Sequence, residues 1–182
     1  TKKVIKRTIT EFIALVTARS GFSDSAAAMV ATSAPTIEKM IVVSNASHIV
    51  FTGLTLECAD DAAVTFIDCT DSLVAGSVIR NVIGKTSSLG AVVVTGGSNV
   101  GVVGNDIYDV GTTAVHMAGG ERMSLTPGAH YAENNYIHHV GTVYTRGVGL
   151  NIDGVGQRAS HNLIHDCPRF AIQFMGNHHL IE

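Results

Sequence analysis

Charge is scarce in this chain, and so are the residues that break or staple a fold. Only 15% of its 182 residues are charged and only three are proline, while apolar residues make up 46%. That balance excludes a disordered chain, which needs high charge and little apolar matter. Three cysteines, Cys58, Cys69 and Cys167, cannot all pair with one another. A single Cys58–Cys69 bridge stays open, and Cys167 reads as a small buried hydrophobe. No apolar run reaches the length that a membrane span needs. Positive charge is short as well. Lys2, Lys3, Lys6 and Arg7 hold four of the twelve basic residues, so from residue 8 onward 8 basic residues face 15 acidic ones, a balance of −7. Such a body has no basic footprint for nucleic acid. The basic start looks like a signal n-region, but Glu11 and Arg19 interrupt the apolar stretch behind it, so no signal peptide is expected.

What is present is a phrase that recurs. It reads Asn105-Asp106-Ile107-Tyr108-Asp109-Val110, then Asn135-Tyr136-Ile137-His138-His139-Val140, then Asn162-Leu163-Ile164-His165-Asp166-Cys167, with weaker forms around Ile79 and Leu56. Leu56, Ile79, Ile107, Ile137 and Ile164 form one column with steps of 23, 28, 30 and 27 residues. A near-constant period of this size marks a stacked repeat. Each repeat carries a short strand before the phrase and a second strand after it. In the second strand Val64, Val92, Val115, Leu150 and Ile172 make one inward column, and Phe66, Val94, Met117, Ile152 and Phe174 make the next. Thr65, Val93, His116, Asn151 and Gln173 point outward between them. Strands of about four residues with links too short for helical crossovers fit a helix of parallel β-strands. The fold class expected is all-β: a right-handed parallel β-helix of about five coils over residues 41–182. Residues 1–40 lack the repeat. Ile5, Ile9, Phe12, Ile13 and Val16 share a helical stripe, so an N-terminal helical cap competes with a leader. The pattern stops inside a phrase, which points to a truncated solenoid whose last coil is open to end-to-end or edge self-association.

Two polar strips carry candidate chemistry. The first follows the phrase, with Tyr108-Asp109, His138-His139 and His165-Asp166. Asp109 and Asp166 lie two rungs apart, about 9–10 Å by strand spacing, near the separation an inverting glycosidase uses. Corner Asn and Asp that hydrogen-bond the turn backbone are the stronger reading of this strip, and the Asn105/Asn135/Asn162 column reads as a structural amide ladder. The second strip is His116, Asn151 and Gln173 outside the second strand. Beside it stand the insertion that holds Glu121 and Arg122, the insertion that holds Tyr144 and Arg146, and a short turn with Arg169. Carboxylates, arginines and one aromatic along a groove suit a hydroxyl-rich or anionic sugar chain. Glu121 and Asp153 are the first choice for an acid and a base or nucleophile. No cofactor is implied. No Cys/His spacing matches a zinc site, and adjacent histidines on a strand face opposite ways. Calcium at Asp60-Asp61 or Asp68/Asp71 stays open.

From Ile41 onward the chain resembles the right-handed parallel β-helix proteins of the pectate-lyase-like superfamily. The likeness extends to large bacterial carbohydrate-active members related to β-helix glycoside hydrolases. The stretches Ile41 to Thr55, Gly119-Gly120-Glu121-Arg122, Asn134 to His139 and Gly154 to Asp166 carry it. The resemblance implies a secreted or periplasmic parent protein that acts on a polysaccharide or oligosaccharide, as a glycoside hydrolase or a polysaccharide lyase. The alternative is a non-catalytic glycan-binding or structural solenoid of the adhesin or tail-fibre type. Glu121 stands where these relatives often have Asp, which keeps a carboxylate and changes its reach.

Overall fold

A computed structural model describes residues 3–5, 37–84 and 90–182. It is a parallel β-solenoid of about five turns, with no helix among the described residues. Each complete coil contributes one strand to each of three sheets. In one coil these are Gly101–Val103, Asp106–Val110 and Val115–Glu121; in the next they are Tyr131–Glu133, Tyr136–Val140 and Leu150–Val155. The first and second sheets are parallel throughout, and the third has one antiparallel addition, Thr126–Pro127 against Val115–Glu121. The register is the one the column predicts: Leu56 opposes Ile79, Ile79 opposes Ile107, Ile107 opposes Ile137, and Ile137 opposes Ile164.

The core follows from period-2 alternation on strands wound into a coil. Leu56, Ile79, Ile107 and Ile137 are buried in the second sheet, and Val64, Val92, Val115 and Leu150 in the third. Phe51, Val74, Val102, Ala132 and Ala159 fill the first. Truncating one of the stacked isoleucines to Ala would cost about 2–5 kcal/mol, because its neighbours above and below cannot both close the gap. The stack opens at its last coil. Ile152 is fully buried, whereas Phe174, its register partner one coil on, is 59% exposed.

Corners are made by residues in the left-handed region. Between the first and second sheets stand Gly53, Gly76, Gly104, Asn134 and His161, all with φ between 52° and 66°. Only glycine takes that conformation without strain, and Asn and His are among the tolerated substitutes. The next position carries the amide ladder. Asn105 Nδ2 donates to Asn135 Oδ1 at 3.0 Å, and Asn135 Nδ2 donates to Asn162 Oδ1 at 2.9 Å. The same acceptor oxygens take the backbone N–H of Asn105 and of Asn135 in the preceding coils, each at 3.0 Å. Buried backbone groups at the corner are thereby paired without a regular sheet, as burial demands.

Three expectations change or fall outside these residues. The solenoid's first described third-sheet strand is Ile37–Ser44, so the repeat begins before residue 41. Ile5, expected on a helical stripe, lies in the strand Lys3–Ile5, which pairs in parallel with Ile49–Thr52. The other stripe positions and the rest of the expected cap lie outside the described residues. Cys58, Cys69 and Cys167 are all free thiols, so the Cys58–Cys69 bridge is absent.

Candidate functional site

The third sheet presents its outer ladder as expected: Thr65 opposes Val93, Val93 opposes His116, His116 opposes Asn151, and Asn151 opposes Gln173. Its environment differs from the expectation of a solvated groove. Thr65, Val93 and His116 are buried, and Asn151 and Gln173 are partly so. Thr65 Oγ1, His116 Nδ1 and Asn151 Oδ1 have no hydrogen-bond partner among the described residues. Burial holds the His116 imidazole below its ordinary pKa, with the Asp153 charge pulling the other way.

The loop beyond this ladder brings Arg122 to Asp153 as an ion pair. Asp153 Oδ1 also accepts the backbone N–H of Gly154 at 2.7 Å. Glu121 ends the strand Val115–Glu121, and its carboxylate accepts the backbone N–H of Met123 at 2.9 Å. Glu121, Arg122 and Asp153 therefore gather where the strands end, and His116, Asn151 and Gln173 form the ladder that leads toward them. Tyr144, Arg146 and Arg169 do not join that end. They lie in the links that lead into the third sheet, whereas Glu121 and Asp153 lie where its strands end. Tyr144 is tied by its backbone N–H to the Gly111 carbonyl at 2.7 Å, and the Arg169 guanidinium sits 4.8 Å from the Phe170 ring. The length of a strand, about 15 Å at 3.3 Å per residue, separates these links from Glu121 and Arg122, while His116, Asn151 and Gln173, each second in its strand, lie near the entry end.

The second sheet assembles more chemistry than the sequence disclosed. Glu57, Arg80, Tyr108, His138 and His165 share one outward ladder. The Tyr108 and His138 rings stack at 4.9 Å and 4°, and the His138 and His165 rings at 5.3 Å and 9°. Arg80 donates through Nε to Glu57 at 2.7 Å and through a terminal nitrogen to the Tyr108 hydroxyl at 3.0 Å. Two residues earlier on the same face, Tyr136 packs at 4.4 Å from His138 and 5.4 Å from His165. Asp106, beside Tyr136 in register, brings Oδ1 to 3.3 Å from His138 Nε2.

His139 and Asp166 join this face for a reason that strand alternation does not contain. Cys58, Asn81, Asp109, His139 and Asp166 recur one per coil at the second corner, each with φ between 50° and 65°. A left-handed residue interrupts the alternation, so neighbours in sequence can face each other. His138 Nδ1 and His139 Nδ1 are 2.7 Å apart, which corrects the expectation that this pair must point to opposite faces. One proton shared between the two nitrogens satisfies both. Asp166 Oδ2 lies 2.8 Å from His165 Nδ1 and 3.7 Å from His139 Nε2, and His165 Nε2 lies 3.0 Å from the Tyr136 hydroxyl. The hydrogen bond from His165 holds the Asp166 carboxyl below its usual range. The spacing of the repeat does not single out Tyr136. Its signal is the position two before His138, which shares the outward face. Among the described residues no three His, Cys, Asp or Glu side chains converge as a metal site.

The fold places the chain in the class of parallel β-solenoids. No family model matches it, and neither the curated proteins nor the solved structures provide a match.

Proposed function

We propose that this chain is a polysaccharide-directed β-solenoid whose second-sheet platform carries the glycan. The observation that supports this reading is the in-register stack of Tyr108, His138 and His165 with Tyr136 beside it, flanked by Asp106 and Asp166. The stacked rings cover one another's faces, so a sugar meets their polar edges, and the flanking carboxylates accept its hydroxyls in charge-assisted hydrogen bonds. Rungs about 4.8 Å apart repeat this chemistry along the stack axis, so an extended chain meets equivalent contacts one after another. The resemblance to carbohydrate-active β-helix proteins agrees with this reading in substrate class.

A second reading, glycan cleavage by Glu121 and Asp153, draws support from the Arg122–Asp153 pair above the buried His116. It ranks behind because both carboxylates already accept local hydrogen bonds, whereas acid–base work needs them free to reach a glycosidic oxygen and a water. Affinity electrophoresis against a panel of soluble neutral and acidic polysaccharides tests both. Retarded migration that falls at least tenfold in affinity in Tyr108→Ala/His138→Ala is the expected result. Unchanged retardation in that variant would overturn the platform assignment. Release of reducing ends that stops in Glu121→Gln and Asp153→Asn would install the second reading.

A further inference from the structure

The contacts around Tyr136 have an order that glycan binding does not require. Asp166 Oδ2 is 2.8 Å from His165 Nδ1, and His165 Nε2 is 3.0 Å from the Tyr136 hydroxyl. With Asp166 ionised, His165 donates through Nδ1 and can only accept at Nε2, so the Tyr136 O–H is the donor. A hydroxyl on a base whose far nitrogen is oriented by a carboxylate is the general signature of an activated nucleophile. The Tyr136 side is also open, with the residue 40% exposed. The other three tyrosines are placed differently: the Tyr108 hydroxyl accepts from Arg80, Tyr131 packs under Arg158, and no hydrogen bond connects the Tyr144 side chain to a described histidine.

We propose that Tyr136, His165 and Asp166 form a nucleophilic site for acyl esters, with Tyr136 as nucleophile, His165 as its general base and Asp166 as the residue that positions His165. Tyr136 Oη attacks the ester carbonyl carbon as its proton passes to His165 Nε2. The C–O bond to the alcohol breaks, and the departing alkoxide takes that proton. Water, deprotonated by His165, then attacks the aryl ester on Tyr136. The phenolate leaves and recovers its proton, so ester and water become carboxylic acid and alcohol. Phenolate is a better leaving group than an alkoxide, so with an alkyl ester the second step is the easier one; a 4-nitrophenyl ester, whose leaving group is better than the Tyr136 phenolate, reverses the order and lets the acyl-tyrosine accumulate. The charged and titratable groups facing this centre are Asp106 and Tyr108 from the neighbouring strand and His138 and His139 from Tyr136's own strand. This activity does not depend on the platform binding a glycan, and its test uses none.

The test is 4-nitrophenyl acetate with the full chain, read by nitrophenolate release and by mass spectrometry of acetylated tyrosines after acid quench. Acetyl is expected on Tyr136 at least tenfold above Tyr108 and Tyr144 in the same molecules. Tyr136→Phe should remove the burst of nitrophenolate. His165→Asn should lower Tyr136 acetylation at least tenfold and leave Tyr108 acetylation unchanged, which also reports that the stack is intact. Asp166→Asn should lower it severalfold, with Asp166→Glu restoring part of the rate, as a positioning role requires. Equal labelling of all tyrosines, or release that survives in Tyr136→Phe through the histidines alone, would overturn the proposal.

Discussion

The second and third sheets place polar residues at the same outward position of the same repeat, yet their side chains meet opposite fates. On the second sheet Arg80, Tyr108, His138 and His165 stack, donate and accept in a connected row. On the third, Thr65, His116 and Asn151 have buried polar atoms with no partner among the described residues. Parallel stacking alone therefore does not make a functional ladder. The edges of the stacked rings reach partners beside the row, His139 and Asp106 for His138 and Asp166 and Tyr136 for His165, whereas the hydroxyl, imidazole and amide beside Val93 meet none among the described residues. An unpaired buried polar atom costs about 1–3 kcal/mol. The third sheet's outer row thus lowers stability, while the second sheet's row is half-buried and hydrogen-bonded and costs little.

The largest expected effect concerns the covered histidines. His130 is fully buried at the turn behind the third sheet, where Nδ1 accepts the Val100 backbone N–H at 3.2 Å. Burial pushes it down to about 4 from an ordinary 6.5. The unfolded chain takes up a proton below pH 6.5 and the folded chain only near 4, so this contribution to stability is intact above pH 6.5 and is lost as pH falls from 6.5 to 4. The loss is on the order of 3 kcal/mol. Urea unfolding at a series of pH values should show it, and His130→Asn, which keeps an acceptor for Val100, should flatten that slope. A slope identical to the parent's would contradict the assignment.

Next is a matched pair of substitutions. His116→Leu removes from a buried site a nitrogen with no partner among the described residues and should stabilise by about 1 kcal/mol, a rise of about 2–4 °C in Tm. His138→Leu, its counterpart on the half-buried row whose nitrogens have partners, should raise no Tm and should weaken glycan retardation instead. If both variants melt alike, the contrast between the sheets fails. The smallest effect is Arg122→Ala. Its pair with Asp153 is exposed to solvent, so the expected loss is about 0.2–1 kcal/mol, shrinking further in 1 M salt.

The stack itself was legible in the primary structure because its determinants are local and periodic. Leu56 through Ile164 recur at coil spacing, and the inward columns of the third sheet fell in register. The second sheet's chemistry was less legible. Alternation assigns His138 and His139 to opposite faces, and only the left-handed φ of 50° at His139 reverses that. The recurrence of Asn81, Asp109, His139 and Asp166 at one corner was the available hint, since these residue types favour positive φ. The split of the loop residues was not legible at all. Tyr144 and Arg146 precede a strand that Asp153 nearly ends, and proximity in sequence concealed the strand length between them. The covering of the third sheet's outer row escaped for the same reason, because alternation gives direction and says nothing of depth.

The amide ladder has one further consequence. Asn105 and Asn135 each donate toward the following coil and accept from the preceding one, so these rungs offer their neighbours the same interface. The coil is therefore an interchangeable module. Excising residues 106–135 would join Asn105 to Tyr136-Ile137 and restore the repeating phrase at the seam. We expect this shortened chain to keep a cooperative β-rich melt by circular dichroism, with the lengths 23 to 30 as the increments by which such a protein can grow or shrink.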